Sequence, residues 1–160
     1  MSSSRQLFAA ALVAFVAGAV HVGQRYAAPL ALEVFDPSVG DITAITFASR
    51  LLTVFVEPIG VFVVCYVLVR GLDVRRRYSG FALALFLGAG IGGVVALFAV
   101  LSTLEFSTES TFYTALSIGE AVVGTGLRVT VAGLAGIGAA TVFAERATEE
   151  GSEPTARVEY

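Results

Sequence analysis

The sequence predicts an all-α membrane protein, a bundle of four transmembrane helices. Three observations carry that expectation. The 160 residues are 56% hydrophobic with a mean hydropathy of +0.83, well above what a water-soluble domain carries. The apolar residues fall into runs at 7–24, 42–69, 81–102 and 113–143. Each is near or above the roughly 20 residues that cross a bilayer. The basic residues, all ten of them Arg, alternate with these runs: Arg5, then Arg70, Arg75, Arg76 and Arg77, then Arg146 and Arg157 fall on one side, and only Arg25 on the other. The excess of positive charge on cytoplasmic loops then puts both termini in the cytoplasm of a multi-pass protein of the cell (plasma) membrane.

The first run, Leu7 to Val22 and on to Gln24, follows a polar start with one charge, Arg5. It reads as a span closed by Arg25 and Tyr26 at the interface. The competing reading is a signal peptide cut after Ala17-Gly18-Ala19, which the weak n-region and the continuing apolar run disfavour. Residues 23–41 form a connection rich in turn formers, with Pro29, Asp36, Pro37, Ser38 and Gly40. Within it Leu30, Leu32, Val34 and Phe35 suit a short element on the membrane surface. Asp41 is placed to cap the next helix, its carboxylate accepting from free N–H groups of the first turn.

The second span carries the most information. Thr43, Thr46, Arg50, Thr53, Glu57 and Gly60 recur at spacings of 3 and 4, which draws one polar stripe along a helix. Pro58 removes the N–H that would bond to the Val54 carbonyl, so a kink is expected there. After it, Arg70 and Arg75 to Arg77 set topology and meet anionic headgroups.

The third span has no charged residue. Its centre, Gly88-Ala-Gly90-Ile-Gly92-Gly93, matches the letters of a dinucleotide fingerprint, but that motif needs a strand before it and an amphipathic helix after it. The small-xxx-small spacing of Gly88, Gly92 and Gly93 instead suits close helix packing in lipid. The connection 102–112 holds Glu105 and Glu109 and no basic residue. In the fourth span Ser117, Glu120, Gly124, Arg128, Ala132, Ala135 and Ala139 form a second narrow stripe. Residues 1–145 make the membrane domain, and 146–160 an acidic, flexible cytoplasmic tail.

Ionisable residues inside spans are costly and mark either buried pairs or a functional path. Arg50 and Glu120 lie about eight and seven residues into spans two and four; Glu57 and Arg128 lie about fifteen in. At about 1.5 Å per residue these levels match. The expected pairs are therefore Arg50 with Glu120 and Glu57 with Arg128, across neighbouring spans; they could also cross, because Arg50 and Glu57 share a face of span two about two turns apart. The favoured functional reading is a structural or partner-binding membrane component held by these pairs. The alternative is a small oligomeric proton- or ion-coupled transporter or channel centred on Glu57.

Other classes fare worse. The lone His21 and the lone Cys65 exclude a His cluster and an intrachain disulfide; His21 reads as an interfacial residue, solvated or hydrogen-bonded, rather than a proton sensor, and Cys65 as a small hydrophobe. No nucleophile–base pair, metal cluster or phosphate loop stands in a credible context, so neither an enzyme nor a cofactor is expected. No basic patch outside the membrane suits nucleic acid. The expected partners are the lipid bilayer and either a second copy or another membrane protein. The acidic, Lys-free composition has a halophilic character that a GC-rich genome would also produce.

Overall fold

A computed structural model describes residues 3–35, 37–70, 78–103 and 111–150. Every element among them is helical: α1 Ser3–Arg25, α2 Ala27–Phe35, α3 Val39–Leu51, a π-helical turn Leu52–Val56, α4 Glu57–Val69, α5 Tyr78–Thr103 and α6 Thr111–Glu150. Four segments are long and apolar enough to cross a membrane: Ser4–Arg25, Val39–Val69, Tyr78–Thr103 and Ile118–Ala144. The expected runs are all present, and each helix outlasts its apolar run. Helix α6 passes the expected end at 143 and reaches Glu150; the rest of the tail, like Arg75 to Arg77 and Glu105 and Glu109, lies outside the described residues.

Helix α1 shows how the chain divides its surface. Phe8, Leu12, Val16 and Val20 recur every four residues and point outward, Phe8 being 70% exposed. Ala10, Ala14 and Val22 are buried on the opposite side. Outward large side chains continue on every span, among them Ile91, Phe98, Leu127 and Val131. A water-soluble surface rarely tolerates so continuous an apolar face, whereas lipid accepts it.

Helices α1 and α5 run parallel, with Leu7 near Gly80 at one end and Val22 packed with Leu97 at the other. Glycine brings their backbones together. A Cβ on Gly88 would strike the backbone of Ala11, one on Gly92 that of Phe15, and one on Gly18 that of Ala89. The expected packing role of Gly88 and Gly92 therefore has a specific partner, α1; Gly93 is buried beside them. Helix α6 runs antiparallel to α5, where Gly126 meets Phe86 and the Tyr78 hydroxyl donates to the Leu134 carbonyl at 3.0 Å. Helix α4 lies along α6, with Gly136 against the Phe62 backbone and Tyr66 edge-on to Phe143 at 6.4 Å. Cys65 is buried against Gly133 in the core formed with Val61, Val69, Leu85, Val129 and Ile137. The starts of α1 and α5 and the ends of α4 and α6 share one end of the bundle.

Gly124 does not share this role. It is exposed, and a Cβ there would touch nothing closer than its own helix's Glu120 at 4.0 Å. The packing face of α6 is instead drawn by Gly126, Val129, Gly133, Gly136, Ile137 and Ala140. The stripe expected from Glu120 to Ala139 is offset from that face, because small size alone does not distinguish a seam from an open side.

Helix α3 starts one turn earlier than Asp41 suggests. Ser38 is the N-cap, in extended conformation, and its hydroxyl accepts from the Asp41 N–H at 3.3 Å. Asp41 answers by accepting from the Ser38 N–H at 3.2 Å and its hydroxyl at 2.6 Å, closing a capping box. Before it, the expected surface element is α2, whose Leu32, Val34 and Phe35 are exposed.

The kink expected at Pro58 takes the form of the π turn. The Glu57 N–H bonds to the Leu52 carbonyl, five residues back. One more residue per turn sets every later side chain back by roughly one residue's rotation, about 100°. The turn falls in the stretch just before the proline, where the normal ladder has lost a donor. Its consequence divides the second span. Below the turn α4 contributes Glu57, Val61, Cys65 and Val69 to the interior; above it α3 buries no residue.

Candidate functional site

Where α3 leaves the bundle, a cavity of about 460 Å³ opens between α1, α3 and α6. Each helix brings charge or hydrogen-bonding capacity for a local reason. The last turn of α1 supplies His21, Gln24 and Arg25, which lie within four residues and so share a face. Helix α3 and the π turn supply Thr46, Ser49, Arg50 and Thr53, the upper part of the polar stripe. Helix α6 supplies Arg128. Among the described residues no Asp or Glu lines the cavity.

A hydrogen-bonded His–carboxylate pair and an Arg–carboxylate ion pair border it. The His21 Nδ1 lies 2.8 Å from the Glu57 Oε2, and the Arg25 Nη1 lies 2.6 Å from the Glu120 Oε1. The first is buried, with the Glu57 side chain 4% exposed, while both members of the second are more than half exposed. The other carboxylate oxygen of Glu57, Oε1, is buried without a hydrogen-bond partner. Gln24 joins α1 to the π turn, its side-chain oxygen accepting from the Thr53 hydroxyl at 2.7 Å. Its amide N–H groups remain as donors.

These pairs replace the ones expected from depth alone. Arg50 does not pair with Glu120, nor Arg128 with Glu57; both carboxylates are taken by α1. Depth matching treated the second span as a regular helix and compared it only with the fourth. The π turn rotates Glu57 away from the Arg50 stripe, and α1 lies nearer to each acid than either expected partner. The structure thus gathers Arg50 and Arg128 at one cavity, with Glu57 and Glu120 behind its α1 wall, in a different arrangement of the same constellation. Among the described residues neither Arg50 nor Arg128 makes an ion pair, and both are exposed. Arg70 ends α4 at the far end of the bundle, its N–H bonded to the Tyr66 carbonyl.

Sequence reasoning missed His21 and Arg25 as parts of the site. Their own neighbourhoods in the chain mark Arg25 as an interfacial anchor and His21 as a solvated or hydrogen-bonded residue there, without naming Glu120 and Glu57 as their partners. A signal was present: two cationic or ionisable groups at i and i+4, near the end of a span, facing a chain with two intramembrane acids. Chemically, the cavity can hold an anion. Guanidinium groups bind carboxylate and phosphate with two parallel hydrogen bonds each, and Arg is the usual choice where such groups are held.

Comparison of the chain with protein-family models, with curated proteins and with solved structures finds no match.

Proposed function

We propose that this small membrane protein binds an anionic ligand in the cavity between α1, α3 and α6, at membrane depth. The single observation behind the proposal is the convergence of Arg25, Arg50 and Arg128 on a space that, among the described residues, no carboxylate lines. A scaffold built only to hold helices together would use its charges against one another, since an unpaired Arg in a span costs roughly 2.5 kcal/mol or more. Here two of the three guanidinium groups are left for something else. Reading the Arg-rich loops as cytoplasmic puts the cavity in the outer half of the plasma membrane, with both termini inside.

A fluorescent alkyl sulfonate, titrated against the protein in a neutral detergent, tests this. Saturable binding is expected in the wild type, with a Kd at least about tenfold weaker after Arg50→Gln or Arg128→Gln, the loss of one charge-assisted contact. Equal binding by all three proteins would overturn the proposal.

A second reading, a proton path, has one observation in its favour. His21 both lines the cavity and bonds the buried Glu57, so it bridges the cavity to the interior of the bundle. Proton flux into reconstituted vesicles that vanishes in a correctly folded Glu57→Gln protein would support it; no flux in the wild type would remove it.

A further inference from the structure

We infer that the anionic group is the phosphate of an anionic phospholipid, entering from the side of the bundle between α3 and α6; this rests on the anion-binding reading above. Four features of the cavity lead there.

The first is depth. Arg50 and Arg128 stand 11 and 10 residues inside the spans Val39–Val69 and Ile118–Ala144. At about 1.5 Å per residue that is roughly 15 Å from the span ends. A free anion would have to shed its water to reach them, whereas a lipid already has its phosphate at the interface and its chains in the hydrocarbon. Long Arg side chains reach toward that level from below.

The second is the missing wall. Helix α3 packs on α1 and α2 but makes no extended contact with α6. Arg50 and Arg128 therefore face each other across a gap along the bundle's flank. Beside the gap the surfaces are apolar: Leu51 and Phe55 on one side and Leu127 and Val131 on the other are all exposed. A headgroup in the cavity would leave its acyl chains on these faces.

The third is shape. A flat carboxylate is satisfied by one bidentate Arg. A phosphate presents several oxygens in a tetrahedron, which suits the guanidinium groups of Arg50 and Arg128, arriving from two separate helices and making no ion pair among the described residues, with Arg25 of a third helix held beside them by Glu120. The fourth is sign. Among the described residues no carboxylate lines the cavity, and the two acids that border it, Glu57 and Glu120, are already bonded to His21 and Arg25, so the lining favours a headgroup without an ammonium.

The test uses the full chain in nanodiscs, with thermal unfolding as the readout. Discs of phosphatidylcholine are compared with discs containing phosphatidylglycerol or phosphatidic acid. Inorganic phosphate and oleate are each added to phosphatidylcholine discs as separate arms. The anionic phospholipids are expected to raise the midpoint in the wild type, and Arg50→Gln and Arg128→Gln to abolish at least about nine-tenths of the linked gain in affinity. Arg70→Gln, at the far end of the bundle, is expected to keep the full shift. A shift produced equally by inorganic phosphate, or by oleate alone, overturns the lipid assignment and leaves anion binding standing. No shift in any arm overturns both. Loss of the shift in Arg70→Gln, with Arg50→Gln unaffected, moves the lipid to the other end of the bundle and overturns the assignment. Both test positions are exposed, and α3 buries no residue, so the variants retain the fold.

Discussion

The two ends of the bundle solve the problem of packing in lipid differently. At the end where α1 and α5 begin and α4 finishes, helices touch through glycine and through small or aliphatic side chains: Gly88 on Ala11, Gly136 on Phe62, Cys65 on Gly133. No charge enters that core. At the other end, α3 stands apart, and the π turn beneath it is tied to α1 by the hydrogen bond between Thr53 and Gln24, with the His21–Glu57 pair just below. Van der Waals contact between close backbones drives association where water is absent, so the glycine-rich half is the stable half. Polar links across a cavity contribute less, and they leave room for a ligand. The π turn and Pro58 mark the border between the two regimes.

The comparison breaks most visibly at the glycines. Gly92→Leu forces a side chain into the Phe15 backbone and is expected to cost about 3 kcal/mol or more, or to prevent folding. Leu87→Ala, at a position 49% exposed on the same helix, should stay within about 0.5 kcal/mol. Unfolding in detergent, followed by circular dichroism, measures both, and equal small effects would deny the seam its role.

Next comes the buried pair. His21→Ala leaves Glu57 buried with neither oxygen partnered and is expected to cost about 2 kcal/mol. Changing His21 and Glu57 together to Leu should cost less than either single loss, because the desolvated acid is gone as well. A double variant as unstable as the sum of the singles would show that the pair carries no coupling.

Pro58→Ala sharpens the border itself. With the Val54 carbonyl given back its partner, the π turn should relax toward a regular helix and α3 should swing in. Stability is expected to change by less than about 1 kcal/mol, while anion affinity falls several-fold. An unchanged affinity would mean that the cavity does not depend on the turn. The smallest effect belongs to Arg25 and Glu120. Both are exposed, so Glu120→Gln should cost no more than about 1 kcal/mol by the same unfolding assay.

Much of this was legible from residue pattern. Four apolar runs, the Gly88/Gly92 spacing and a disruption at Pro58 each follow from a local rule, and each is present in the structure. The partners of the charges were not legible, for two physical reasons. A π turn is a one-residue change of register that no periodicity announces, and it separates Arg50 from Glu57 by rotation. Pairing also depends on which helices meet. The glycines that join α1 to α5 bring the end of α1, with His21 and Arg25, against the acids of α4 and α6. That proximity is tertiary, and neither residue's own neighbourhood in the chain reveals it. The same holds for Gly124 and Gly126, two residues apart: one faces outward and the other meets Phe86.

The seam between α1 and α5 also has a meaning in time. Gly18 and Ala89 are separated by the whole of α3 and α4, and a ribosome working at roughly 5–20 residues per second needs several seconds to cross that interval. Through it the first helix stands in the membrane without its principal neighbour. The nearest mate available is the second span, and His21 with Glu57 is the buried contact the two can already make. That contact joins the first two spans, and it is available before the glycines of the third arrive.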